Sequence, residues 1–204
     1  MKNSNLQDLA QKYTWPNQKP DLPGDLHGWC DVLQQNMFEQ VVSPEMSVIL
    51  ELGTWLGQSA RLLLSMAPQA TVICVDHWLG SQEHHHNEKF RLKLPTLYET
   101  FLVNLWEERD RVIPIRLRTT EALEEIYRFQ IVPDLIYIDA GHTYQDVLAD
   151  VGTSLRLFPA SVICGDDWSW EEVRRAVMEI AEEQSKSIAL SGQQALGVQC
   201  WRFE

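Results

Sequence analysis

Residues 47–67 read SVILELGTWLGQSARLLLSMA: an apolar run, a turn holding Gly53 and Gly57, then apolar positions at helical spacing. A strand that passes through glycines straight into a helix is the building unit of parallel α/β sheets, and its turn is where such sheets seat nucleotide-like ligands.

Four more Val- and Ile-rich runs follow, near 70–76, 111–117, 133–140 and 160–166. Their unbroken apolar character predicts strands buried on both faces. Between them GQSARLLLSMA, TLYETFLVNLWEE, EALEEIYRF and TYQDVLADVGTSLRLF have helical spacing. The alternation predicts an α/β fold, a Rossmann-like, doubly wound and mostly parallel sheet, with all strand C-termini on one edge. After the fifth strand come a helical pattern, EEVRRAVMEIAEEQ, and two short runs, SIALSG and LGVQCWRF, read as an antiparallel terminal pair joined by a Gly/Gln-rich turn.

Residues 1–45 differ. Pro16, Pro20 and Pro23 interrupt the first part, and DLHGWCDVLQQNMFEQVV reads as one amphipathic helix, so this segment is expected to be an N-terminal helical cap on a core spanning 46–204. With 204 residues, 45% of them hydrophobic, the chain suits a single domain.

Seventeen Lys and Arg against 29 Asp and Glu give a formal net charge of −12, with no locally basic stretch, which argues against nucleic acid as a partner and for a small neutral or cationic ligand. No window approaches the length of a membrane span and the N-terminus lacks a signal-peptide core, so a cytoplasmic protein is expected. Cys30, Cys74, Cys164 and Cys200 show no metal-ligand spacing and read as small buried hydrophobes. A homo-oligomer is compatible with the sequence.

At the first strand end stands Glu51, and at the second Asp76, 19 residues beyond Gly57. That spacing suits an acid receiving ribose hydroxyls, which raises nicotinamide cofactors as an option. The loop argues against them: G-x-x-x-G is wider than the dinucleotide fingerprint, and Glu51 would face any pyrophosphate on the helix N-terminus. S-adenosylmethionine has no phosphate and carries an ammonium and a sulfonium, so Glu51 favours it.

Asp139 ends the fourth strand and Asp166 with Asp167 ends the fifth. If these strands are neighbours, their ends lie about 5 Å apart and the three carboxylates can share Mg²⁺ or a similar hard cation. Without a cation they would repel one another and bind protons more tightly. The alternative task for such residues is helix capping, but Ser169 with Glu172 and Thr143 with Asp146 already offer capping patterns; capping by Asp167 stays open. His142, three residues after Asp139, can take a hydroxyl proton, support a ligand carboxylate or be an ordinary loop residue.

The stretches ELGTWLGQSA, VDHWLGS, DLIYIDAGHTYQDVLADV and GDDWSWEEVRRAV resemble class I S-adenosylmethionine-dependent methyltransferases, and within them the subgroup of macrocin-type and mycinamicin-type sugar O-methyltransferases and cephalosporin-biosynthesis relatives. The resemblance implies a divalent metal on Asp139, Asp166 and Asp167, with His142 and Asp139 in catalysis. It further implies Gly53, Thr54 and Ser59 beside the methionine portion, Asp76 and His77 at the ribose, and Thr119, Thr120 and Glu121 at the adenine. Where relatives often have Pro-Gly-Gly before the fifth strand, this chain has FPAS at 158–161.

The expected activity is metal-assisted O-methylation of a small-molecule hydroxyl, on a sugar or natural product. Metal-independent methyl transfer and a non-catalytic cofactor-binding protein are the alternatives. The triplet His84, His85 and His86 reads as solvated loop inside a candidate mobile lid, 79–95. Trp78, Trp168 and Trp170 read equally as core or as stacking platforms for an acceptor.

Overall fold

A computed structural model describes residues 2–191 and 200–204. The five parallel runs form β1 (Val48–Leu52), β2 (Thr71–Asp76), β3 (Val112–Arg116), β4 (Leu135–Ile138) and β5 (Val162–Gly165), with β6 (Ile188–Ser191) and β7 (Cys200–Phe203) closing one side. Among the described residues the sheet has seven strands in the order β3-β2-β1-β4-β5-β7-β6. β7 pairs antiparallel with both β5 and β6, so it alone runs against the others. The Gly/Gln-rich turn expected between β6 and β7 lies outside the described residues.

Register puts the candidate site along one edge: Leu52 pairs with Val75 on one side and Ile138 on the other, and Ile138 pairs with Gly165. The residues that follow these strand ends, including Gly53, Asp139 and Asp166, therefore sit side by side. The side-chain alternation of β1 sorts its residues between two helical layers. Val48, Leu50 and Leu52 join a core with Leu123, Val151 and Val177, from α7 (Thr119–Arg128), α8 (Tyr144–Leu157) and α9 (Glu171–Glu183). Ile49 faces the other core, with Phe38, Leu63 and Phe101, from α2 (Val32–Val41), α3 (Gln58–Met66) and α6 (Leu97–Asn104). Glu51 shares the second face, and is fully buried there.

The N-terminal segment departs from the single helix expected over 25–42. It holds α1 (Lys2–Lys12) and α2, and 25–31 is irregular because Asp31 caps α2, accepting from Leu33 N at 2.7 Å while Gln34 Oε1 accepts from Asp31 N at 2.9 Å. Prolines 16, 20 and 23 hold the intervening chain out of helix. Leu9 of α1 is buried in the α7 layer, Trp15 Nε1 donates to Val112 O of β3 at 2.8 Å, and α2 lies in the opposite layer. The cap thus wraps the exposed β3 edge.

The 79–95 stretch is also not a plain loop: it contains α4 (Gln82–His86) and α5 (Glu88–Arg91), neither with a fully buried side chain. Among the described residues no helix is long and apolar enough to cross a membrane.

Candidate functional site

The turn after β1 rests on two left-handed glycines, Gly53 at φ +88° and Gly57 at φ +83°. A Cβ on Gly53 would stand 1.8 Å from Asp139 O, so only glycine lets the turn pass against the end of β4. Gly57 starts α3 without a side-chain cap, leaving its first N–H groups open.

Behind this turn the Ser59 hydroxyl donates to Glu51 Oε1, while Glu51 Oε2 and Thr54 Oγ1 are buried with no hydrogen-bond partner. Burial pushes the Glu51 carboxyl up to about 7 despite the Ser59 hydrogen bond. An interior carboxylate with one oxygen unsatisfied is costly unless a cation reaches it.

Asp76 is already at work. Its Oδ2 accepts from Trp55 N at 2.9 Å and its Oδ1 from Trp78 N at 2.7 Å, which clamps together two residues that both sit at φ +51°. Burial raises its carboxyl, with the two backbone donors opposing. Each oxygen keeps a second lone pair for an incoming hydroxyl. His77 lies beside it, with Nδ1 at 3.6 Å from Asp76 Oδ1, and accepts from Leu79 N at 3.0 Å.

Thr119, Thr120 and Glu121 begin α7, just beyond β3, whose Arg116 pairs with Asp76. The Thr119 hydroxyl does not face the cleft: it donates to Asp150 Oδ1 of α8 at 2.5 Å, while Thr120 is half-buried and Glu121 exposed.

The acidic edge differs from three converging aspartates. Asp166 is turned away, its Oδ2 accepting from Gln34 Nε2 of α2 and its Oδ1 from Cys200 Sγ at 3.4 Å. Burial and Asp167 push its carboxyl up to about 6. The residues that do converge are Asp139, His142 and Asp167, which each offer one ligand atom within 4.8 Å of the others. Asp167, at φ +60°, points to His142, with Oδ2 at 2.9 Å from Nε2. It does not cap α9. Neither does Ser169: the N-cap position is Trp170, and Glu172 Oε2 instead accepts from Tyr144 N at 3.0 Å. Thr143 does cap α8, as its spacing predicts.

Burial, Asp166 and Asp167 hold the Asp139 carboxyl well above the usual carboxylate range, and its Oδ2 accepts from Tyr137 OH at 3.2 Å. His142 moves the other way from a buried imidazole: burial works to lower its pKa, but Asp167, Asp139 and Glu83 together raise it to about 9. At neutral pH its ring is therefore a cation among acids. Asp139, Gly141, His142, Asp166 and Asp167 line a cavity of about 10 Å³, room for one water or ion. Two carboxylates and an imidazole around that space, one already neutralising the others with a proton, fit a divalent cation that would take over the positive charge.

The 79–95 stretch lies over this edge. Glu83 Oε2 is 3.4 Å from His142 Nδ1, and the His84 ring stacks on Trp55 at 4.3 Å. His85 and His86 are exposed, so only one of the triplet faces inward. Trp78 is core, donating from Nε1 to Trp55 O at 2.8 Å. Trp168 packs on the core, and the exposed Trp170 lies 4.8 Å from the His142 ring. All four cysteines are free, and all but Cys30 are buried.

Sequence reasoning missed Gln34, Tyr137 and Glu83. The D-V-L-Q capping pattern at 31–34 places Gln34 in a first turn, but nothing local reveals Asp166 as its partner, 132 residues away.

A sheet of this order, with a glycine turn after β1 and acids at the end of β2 and after β4 and β5, is the class I methyltransferase fold. Residues 50–168, more than half of the chain, match the family described as "Methyltransferase domain", and the chain belongs to that family.

Solved structures agree on the fold. One, provisionally assigned as a caffeoyl-CoA O-methyltransferase from Staphylococcus aureus, has a TM-score of 0.63 at 15% identity, with 98% of each chain covered. An O-methyltransferase from Bacillus cereus in complex with SAH gives 0.56 at 21% identity, covering 98% of this chain and 89% of that one. CalS11, a TDP-rhamnose 3'-O-methyltransferase of calicheamicin biosynthesis, gives 0.56 at 15%, covering 83% and 77%. No curated protein matches the chain in sequence.

Proposed function

We propose that this protein is an S-adenosylmethionine-dependent methyltransferase that methylates a hydroxyl oxygen of a small molecule with help from a divalent cation. The observation that carries the reading is Glu51: a buried carboxylate with one unpartnered oxygen, beside the unpartnered Thr54 hydroxyl, at the turn into α3. That arrangement suits a cationic amino-acid end and repels a phosphate. All three structures named above are O-methyltransferases by name, one of them in complex with SAH, and they share this fold.

In this reading Glu51 and Thr54 take the ammonium of the methionine portion, with Gly53, Gly57 and Ser59 shaping the turn. Asp76 accepts from the ribose hydroxyls on its free lone pairs, with His77 alongside. Thr120 and Glu121 border the adenine. Thr119 acts at one remove, through its bond to Asp150.

Asp139, His142 and Asp167 would hold the cation, with Asp166 near enough to join only if it leaves Gln34. A divalent cation held there would supply positive charge beside the acceptor hydroxyl and so ease loss of its proton. During transfer the acceptor oxygen forms a bond to the methyl carbon as the carbon–sulfur bond breaks, leaving neutral thioether. With Nε2 of His142 holding the cation, the hydroxyl proton would pass to the Asp139 carboxylate through its free oxygen, the protons of both groups having gone to solvent when the cation bound. Residues of the lid exclude water.

The His142–Asp167 ion pair favours a second reading, methyl transfer without a metal, in which the imidazolium supplies the positive charge and Asp139 takes the proton. Labelled S-adenosylmethionine, with and without chelator, separates the two. Transfer to oxygen that needs Mg²⁺ and falls at least 100-fold in Asp139→Asn supports the first reading. Transfer that survives chelation supports the second, and transfer to nitrogen alone contradicts both. Cofactor binding with no turnover across a broad hydroxyl panel would point to a non-catalytic binding protein.

A further inference from the structure

The cluster above the cofactor turn has no assigned task. Trp55 follows Gly53 by two residues and is only 9% exposed, yet its indole Nε1 is buried with no hydrogen-bond partner. Its ring is walled by aromatic groups from two other segments: Trp29 at 5.6 Å from the N-terminal cap, and His84 at 4.3 Å and Phe90 at 6.4 Å from the lid. His27 packs edge-on to Trp29 at 4.9 Å, and its Nδ1 is also buried without a partner. Two buried polar nitrogens without partners inside one aromatic box exceed what packing alone requires.

His84 shows what the box accepts. Its ring lies almost parallel to Trp55, at 24°, in the geometry of a stacked planar ring. Its Nδ1 accepts from Ser81 N at 3.0 Å, and burial lowers its pKa, so the stacked ring is neutral. A cation would be poorly received, because Lys89 and Lys93, together with burial, already lower the proton affinity of His27. The carriers of His84 and Phe90, α4 and α5, bury no side chain completely, so little packing opposes their displacement. Glu83 of α4 at the same time contacts His142, which places the box beside the acidic edge.

We propose that the face of Trp55 covered by His84 is the acceptor subsite, and that it takes a neutral planar aromatic ring, with the in-plane indole N–H left for an oxygen of the acceptor that lies outside the stacked ring. His84 occupies this face until the ring displaces it and the 81–93 segment lifts. The inference rests on the methyltransferase reading for the word acceptor, but ring binding itself does not.

Phenol and cyclohexanol test it, because they share a skeleton and one hydroxyl and differ in planarity and π character. Ligand-observed NMR binding is measured on chelator-treated protein with and without S-adenosylhomocysteine, whose own binding is followed by calorimetry. Phenol should bind the wild type at least about 5-fold more tightly than cyclohexanol, the order expected of a stacking contact. Trp55→Phe keeps a smaller aromatic face, and should weaken phenol roughly 2- to 10-fold. Trp55→Leu should remove the preference, and His84→Ala, which uncovers the face without touching Trp55, should tighten phenol. Equal binding of the two probes, or phenol affinity unchanged in both Trp55→Phe and His84→Ala, would overturn the proposal. If Trp55→Leu fails to fold, the other two variants decide. Phenol binding without binding of S-adenosylhomocysteine would keep a ring site and overturn its role as an acceptor subsite, together with the methyltransferase reading.

Discussion

Replacing Gly53 by alanine should damage the protein far beyond what one methyl group suggests. The residue sits at φ +88°, where a Cβ costs about 1–2 kcal/mol. The added carbon would stand 1.8 Å from Asp139 O, 2.5 Å from Asp139 C and 2.6 Å from Ala140 Cα, all backbone atoms that cannot rotate aside. Overpacking of this kind adds about 1–3 kcal/mol or more. Together these give about 2–5 kcal/mol of lost stability, a drop of roughly 5–15 °C in the melting temperature of a chain this size. The matched control is Gly152 of α8, where a Cβ meets nothing within 4 Å. Gly152→Ala should leave stability unchanged or raise it by up to about 1 kcal/mol through helix propensity. Urea unfolding followed by circular dichroism reads both. A Gly53→Ala protein within 0.5 kcal/mol of wild type would refute the close approach of the β1 turn to the β4 end, and with it the shared edge on which the site is built.

Three other outcomes can be checked. Asp150 is buried with its carboxyl raised to about 7, chiefly by burial, so the folded state binds its proton more tightly than the unfolded state. Its contribution to stability is therefore most favourable below about pH 4, declines as pH rises toward 7 and is flat beyond; Asp150→Asn should gain up to about 4 kcal/mol over wild type above pH 7 and nothing at pH 4, by chemical denaturation across pH. Gln34→Ala should cost about 1–3 kcal/mol by leaving the buried Asp166 without its donor, and a Gln34→Ala protein as stable as wild type would show that bond to be dispensable. Because burial raises Glu51 to about 7, affinity for S-adenosylhomocysteine should fall roughly 10-fold between pH 8 and pH 6, and Glu51→Gln should abolish that dependence in calorimetric titration.

The strand pattern was legible because parallel strands buried on both faces read as unbroken apolar runs, and all five matched. Glu51, Gly53, Gly57 and Asp76 were legible because strand, turn and helix fix them locally. What the sequence hid are contacts across long separations. Asp166 looked like a member of the acidic group because strand order puts it there, yet Gln34 from the N-terminal cap turns it away. Thr119 looked like a cleft residue, but its hydroxyl found a buried carboxylate on α8. Ser169 had the spacing of a cap, but the N-cap position falls one residue later, at Trp170. The His84 stack on Trp55 depends on a short helix whose polar sequence carries no periodic signal.

Calorimetric titration of the chelator-treated wild type with S-adenosylhomocysteine at pH 8, beside Glu51→Gln and Asp76→Ala, asks whether the turn after β1 holds S-adenosylmethionine through Glu51 and Asp76. Saturable one-site binding by the wild type is expected, weakened at least 10-fold in each variant while the fold persists. No binding by the folded wild type, or equal affinity in all three proteins, would contradict it.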